Sequence, residues 1–396
     1  MWPVVAGQAV SLFGDYIAFF ALPLFVVTLT GRERDLGLIA AAETLPMLLF
    51  GLTAGVLLDR VALRRALIIG DLVRAAAFAL LASAVWLDVA AVWTVLAVGF
   101  LVGTMTVLFD SGLQAWLPAV FPADMLVAVN SRLQIAVTAA SVLGPAAAGL
   151  IIGLFDHFEV AFVINAATFL VSAMFLLLVR ELSGRSARRP EPFRRDLGEG
   201  LAYLWRERRI RWATLAAALA NLAFAPVAAT LVLYARDELG LDSGGIGLYF
   251  AAYAAIGAVG VVVAPRLARR IGLGRLFVVG MLLLGLGFLA VSWSQHVLVA
   301  IVPTGVAFAG VGWLNISLTT LRQRLTPEGL RGRVIASSRT IAWIGLPVGA
   351  LVGGFVADAA GLIPVYRWTS AALILVAVPL LLTPLWSPLP EPAPAS

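Results

Sequence analysis

Residues 51–65 read Gly51-Leu-Thr-Ala-Gly55-Val-Leu-Leu-Asp59-Arg60-Val-Ala-Leu-Arg64-Arg65. Gly51, Gly55 and Asp59 recur at every fourth position, so on a helix they share one face. A face of two glycines ending in a carboxylate can pack tightly against a neighbouring helix while aiming an anion at it. Asp59 would be favoured at another helix's N-terminus, where the macrodipole contributes about 0.3–1 kcal/mol for an anion. Apolar stretches flank the segment on both sides, at 36–58 and 66–86. The charged residues therefore read as a short connection between two membrane spans.

Working outward, ten further stretches of the same kind appear, roughly 4–29, 90–116, 129–154, 159–180, 212–235, 244–264, 275–293, 297–320, 334–357 and 365–386. Each approaches or exceeds the ~20 apolar residues a span needs. The first is no cleavable signal, because it lacks a basic start and carries Asp15 in its middle. Composition agrees: 61% of the 396 residues are hydrophobic and 13% charged. A soluble domain carries about 25% charge, so the chain is read as an all-α integral membrane protein of twelve spans.

All 28 basic residues are Arg. With the N-terminus inside, 23 of them fall in or beside the loops 2–3, 4–5, 6–7, 8–9 and 10–11. Arg32, Arg34, Arg236 and Arg367 fall outside, and Arg74 lies within a span. This asymmetry predicts a multi-pass protein of the cell membrane with both termini cytoplasmic, and gives the net charge of +6 a reading without nucleic acid. The absence of Cys excludes thiol catalysis and Cys-ligated metals. His157 and His296 sit in separate connections, which disfavours a His metal site.

The longest connection, 181–211, divides the chain into a six-span half at 1–180 and a second half with a short tail at 212–396. Its later part spaces Phe193, Leu197, Leu201 and Leu204 along one helical face. That pattern predicts an amphipathic helix on the inner membrane surface; the alternative is a solvated linker whose Arg enforce topology. The halves repeat. A shift of 205 brings Pro122 onto Pro327, Ala140 onto Gly345, Gly144 onto Gly349 and Ala148 onto Gly353, while 210 brings Gly37 onto Gly247, Arg65 onto Arg275 and Gly70 onto Gly280. Two related six-helix halves imply a rocker-type transporter with substrate at their interface. The period-four rows of small residues are grooves for close helix packing.

The segment 55–65 resembles the G-x-L-A-D-R-x-G-R-K signature of the major facilitator superfamily, with Leu63 in place of the second glycine. Gly144-Pro145-Ala-Ala-Ala-Gly149 is similar to that family's antiporter motif, with Ala148 replacing one glycine. Gly14-Asp15, Ala21-Leu22-Pro23-Leu24, Leu45-Pro46, Ala128-Val-Asn130 and Leu330-Arg-Gly-Arg333-Val334 resemble the branch of macrolide and multidrug efflux proteins and enterobactin exporters. The resemblance implies a cytoplasmic gate of Gly55, Asp59, Arg60, Arg64 and Asp110, in which Asp59 meets the start of span 11. A static surface ion pair is the alternative. It also implies that Gly144, Pro145 and Gly149 seal an exporter against proton leak; the residues alone say that the helix is bent and closely packed.

Acids inside spans are costly and therefore informative, at about 2.5–3.5 kcal/mol each on insertion scales. Asp15 lies about 18 Å into span 1 at 1.5 Å per residue, near the midplane, and Glu43 lies in span 2. Asp71 and Arg74 are three apart and are read as a structural pair. The second half carries no acid inside a span before Asp358. A dehydrated carboxylate favours its protonated form and can carry a proton between two sides. Asp15 is the first candidate for proton coupling, against a structural carboxyl near Ser11 or Gln8; for Glu43 proton, substrate-charge and structural roles stay open. Candidate pocket residues are Phe19, Asn221, Tyr253, Trp313 and Asn315.

These readings converge on a proton-driven exporter of amphipathic small molecules, of drug or siderophore type, acting by alternating access. Flipping of a lysophospholipid or uptake of a metabolite are the alternatives on the same fold. An enzyme is disfavoured by the lack of Cys, of a His pair, and of Gly-x-Ser-x-Gly or nucleotide-binding loops. The expected partners are a small-molecule substrate, protons and lipid, with no cofactor, no nucleic acid, and a monomer as default.

Overall fold

The computed structural model describes residues 2–51, 53–58, 61–155, 157–179, 193–327 and 330–387. These are helical almost throughout: α1 Trp2–Thr30, α2 Glu33–Phe50, α3 Ala54–Leu58, α4 Leu63–Trp86, α5 Val92–Val120, α6 Ala123–Phe155, α7 Phe158–Leu178 and α8 Phe193–Arg206. There follow α9 Arg208–Leu233 with a π-helical turn Tyr234–Glu238, α10 Ser243–Ile271, α11 Leu273–Val291, α12 Val297–Leu325, α13 Arg331–Trp343, α14 Gly345–Ala360 and α15 Leu362–Leu380.

Among the described residues, eleven helices are long and apolar enough to cross a membrane, with α13 and α14 counting as one. The stretch expected as span 2 is divided instead. α2 carries Glu33, Arg34, Asp35 and Glu43 within 18 residues, and α3 adds only five more. Apart from α8, apolar side chains run all round the helices, as burial in lipid requires. Leu80, Leu154 and Leu298 are more than half exposed on outer faces. Exposed Trp86 and Trp93 flank the α4–α5 turn, and Trp293 follows α11; aromatic side chains at such turns suit the membrane interface.

The chain forms two compact units. One comprises Met1–Glu191, Pro226–Ala252 and Ala350–Leu362; the other comprises Pro192–Ala225, Tyr253–Gly349 and Ile363–Ser396. The last part of α9, the start of α10 and most of α14 join the first unit.

Glycine explains how they do so. A Cβ on Gly149 of α6 would come within 2.8 Å of Gly247 Cα in α10, and a Cβ on Gly37 of α2 within 2.9 Å of Gly354 Cα in α14. The two contacts are mates in the sequence repeat, since 37 maps to 247 by 210 and 149 to 354 by 205. Backbone meets backbone only where neither residue has a side chain. Elsewhere in this unit α1 packs on α6 and α7, α4 on α5 and α7, and α2 on α5. Val5, Leu67, Phe109, Trp116 and Leu176 form part of its core.

In the second unit α11 packs on α12, and α8 on α13. The amphipathic helix expected here forms as α8, and part of its apolar face docks on α13. Leu204 is fully buried with Ile210 and Val334, Tyr203 and Leu325 pack against them, and a Cβ on Gly200 would meet the Arg333 backbone at 2.7 Å. Glu199 pairs with Arg333, and the Tyr203 hydroxyl donates to the Leu325 carbonyl. Protein covers part of this face, while Trp205 stays 45% exposed.

Candidate functional site

α1, α4 and α7 meet around a buried polar cluster in the first unit. Gly14 permits it: a Cβ there would collide with Thr168 Oγ1 and Asn165 Oδ1 of α7. Its neighbour Asp15 is thereby set, half-buried, beside Asn165. Asn165 is fully buried; its Oδ1 accepts from Thr168 Oγ1 at 3.1 Å, and its Nδ2 has no hydrogen-bond partner. The charges acting on Asp15 are Arg74, which attracts its carboxylate, and Asp71 and Asp110, which repel it. About two turns earlier on α1, Gln8 donates to Ser172 of α7 at 3.3 Å.

Asp71 and Arg74 form the pair expected from their spacing, and both are buried. The guanidinium lies 4.4 Å from the ring centre of Phe109 and 4.3 Å from that of Phe169. Two aromatic faces replace part of the hydration that burial removes. The pair is incompletely satisfied: Asp71 Oδ2 and Arg74 Nε lack hydrogen-bond partners. Arg74 thus retains a free donor edge within electrostatic reach of Asp15.

Glu43 is half-buried where α2 crosses α5. A Cβ on Gly99 would come within 3.3 Å of Glu43 Cγ, and one on Gly103 would strike its backbone. The small pair Gly99/Gly103 therefore seats Glu43 against α5, and Asp15 repels its carboxylate electrostatically.

Of the gate residues, Asp59 and Arg60 lie outside the described residues, and Gly55 belongs to α3. Arg64 donates through Nε to Leu176 O at 3.0 Å and through Nη2 to Leu177 O. It thereby satisfies carbonyls at the C-terminal end of α7, where a cation is favoured. In the second unit Arg275 also donates to a backbone carbonyl, with Nε on Trp386 O at 3.1 Å, but in the turns beyond α15. Asp110 is exposed on α5.

Among the pocket candidates, Phe19 is exposed on α1. In the second unit Asn221 Nδ2 donates to Ala342 O at 2.7 Å, tying α9 to α13, and Trp313 Nε1 donates to Gly260 O at 2.8 Å. Asn315 bonds Val311 O of its own helix at 3.1 Å, and Tyr253 stacks on Phe308 at 4.7 Å.

The family model described as Major Facilitator Superfamily matches residues 4–345 and, in a second match, 214–396. The chain belongs to this superfamily. As a major facilitator it is a multi-pass membrane transporter and not an enzyme. It is 24% identical over 386 residues to a macrolide efflux protein A of Streptococcus pyogenes, covering 95% of this chain and 94% of the relative. It is 25% identical over 362 residues to a multidrug efflux pump Tap of Mycobacterium tuberculosis, covering 88% and 85%. Two solved structures share the fold. A bacterial homologue of the human lysosomal transporter Spinster gives a TM-score of 0.82 at 13% identity, covering 99% of this chain and 98% of that one. A bacterial homologue of the iron transporter ferroportin gives 0.79 at 18%, covering 97% and 98%.

The antiporter-motif glycines of this facilitator face two neighbours. A Cβ on Gly144 would collide with Tyr16, the residue after Asp15, whereas Gly149 faces α10. The motif thus braces the helix that carries the candidate proton site. Sequence reading passed over Asn165, Thr168 and Ser172. Their spacing of three and four on α7 was the available signal, since three small polar residues on one face of a span need a polar neighbour.

Proposed function

We propose that this chain is a proton-coupled secondary transporter that exports amphipathic small molecules, of drug or siderophore type, by alternating access. The observation that carries the reading is Asp15, half-buried beside the buried Asn165 amide, which favours its charged form, and under the electrostatic influence of Arg74. The carboxylate has alternative stabilisers in its two states. Ionised, it can accept from Asn165 Nδ2 and draw on Arg74; protonated, it can donate to a carbonyl oxygen or a substrate while Arg74 remains with Asp71. A group with two supported protonation states can load on one side and unload on the other.

Efflux names among the relatives support export, and the glycine contacts of the first unit support helices that close on each other without side chains to retract. Both termini are cytoplasmic in this reading, as the Arg distribution requires, Glu43 is a second titrating acid, and the unit of transport is a monomer.

The test uses inside-out vesicles with an acid interior, a pH-sensitive dye, and a panel of macrolides, tetracyclines, cationic dyes and catecholate siderophores. A compound that collapses the gradient only in vesicles containing the transporter supports antiport. A folded protein that moves no protons with any compound on the panel removes drug export.

A further inference from the structure

Arg322, in the last turn of α12, is a buried cation without a counter-charge among the described residues. It is 6% exposed, and neither its Nε nor its Nη2 has a hydrogen-bond partner. The charged group acting on it is a second arginine, Arg339 of α13. Arg339 rests 4.9 Å from the ring centre of Trp343, which is 38% exposed. Ser337, on the same helix, also buries a hydroxyl that lacks a partner. An unpaired buried guanidinium is strongly unfavourable, and a neighbouring cation makes it more so. Such a group is retained where an anion completes it.

We propose that Arg322 and Arg339 form a binding site for a phosphate-type oxyanion in the second unit. A guanidinium presents a planar edge of N–H donors that matches two oxygens of one phosphate. Arg322 lies where α12 gives way to the Arg-rich 10–11 connection, at the end of a span where anionic headgroups are expected. The phosphodiester of an anionic phospholipid and free phosphate share this chemistry. The proposal is independent of the coupling role given to Asp15.

Purified full-length protein in detergent is unfolded thermally in chloride buffer alone, and with added inorganic phosphate, phosphatidylglycerol or phosphatidylcholine. Phosphatidylglycerol, phosphate or both raise the unfolding temperature by several degrees above chloride and phosphatidylcholine. A response to phosphatidylglycerol alone identifies a lipid headgroup, and a response to phosphate alone a soluble anion. Arg322→Gln loses the shift, while the exposed neighbour Arg324→Gln keeps it. Without added anion Arg322→Gln is at least as stable as wild type, because it removes an uncompensated charge. If Arg322→Gln fails to fold, Arg339→Gln carries the same comparison. The site is refuted if neither anion stabilises the wild type, or if the variant retains the full shift.

Discussion

Arg74 sits between two phenyl rings and is paired with Asp71, and its charge also acts on Asp15. Removing it leaves Asp71 buried and alone, which in proteins costs about 3–5 kcal/mol. Arg74→Ala is therefore expected to lower thermal stability sharply in detergent, and Arg74→Lys to recover it only in part, since an ammonium lacks the flat face that the two rings hold. An Arg74→Ala protein as stable as wild type would show that the sandwich carries no net energy. The pair itself was legible from a spacing of three in a span. Its aromatic clamp was not, because Phe109 and Phe169 lie on other helices. Nor was the role of Arg64, whose partners are backbone carbonyls that no side-chain pattern reveals.

Helix α8 differs from the others in having one apolar face. Sequence shows that face but not its cover, and the membrane and α13 are equally apolar candidates. What selects α13 is Gly200, which admits the Arg333 backbone, with Glu199 and Tyr203 adding polar contacts on either side. Burial, with a smaller contribution from Glu207, pushes the Tyr203 phenol above its ordinary value of 10.0, against a weaker opposing effect of Arg206. The docked phenol therefore resists ionisation, and its contribution is present below pH 10 and fades as pH rises past it. Tyr203→Phe removes one hydrogen bond, at about 0.5–1.5 kcal/mol, and abolishes that alkaline dependence. Limited proteolysis of the 181–211 connection at pH 8 and pH 10.5 measures both, with faster cleavage expected in the variant at pH 8. Equal cleavage at both pH values in the wild type would sever α8 docking from Tyr203. The span-2 stretch teaches the same limit: its apolar content was legible, its division into α2 and α3 was not, since the charges of α2, in its first turn and at Glu43, lie away from the break after Phe50.

At the scale of the whole molecule, the sequence repeat named Gly37 and Gly247 only as mates of each other and located neither glycine contact of the first unit. Their true partners, Gly354 and Gly149, came from packing. Membrane orientation follows from Arg counts and is directly testable because the chain has no native cysteine. A membrane-impermeant maleimide applied to intact cells is expected to label Gln295→Cys, before α12, and to spare Gln323→Cys, at the opposite end of that helix; the reverse pattern inverts the topology. The central claim is that Asp15 couples substrate movement to protons, and reconstituted vesicles carrying wild type or Asp15→Asn test it most directly. The account predicts that Asp15→Asn still exchanges labelled for unlabelled substrate with no gradient imposed, yet fails to accumulate substrate when a pH gradient is applied. Accumulation equal to wild type under that gradient would contradict it.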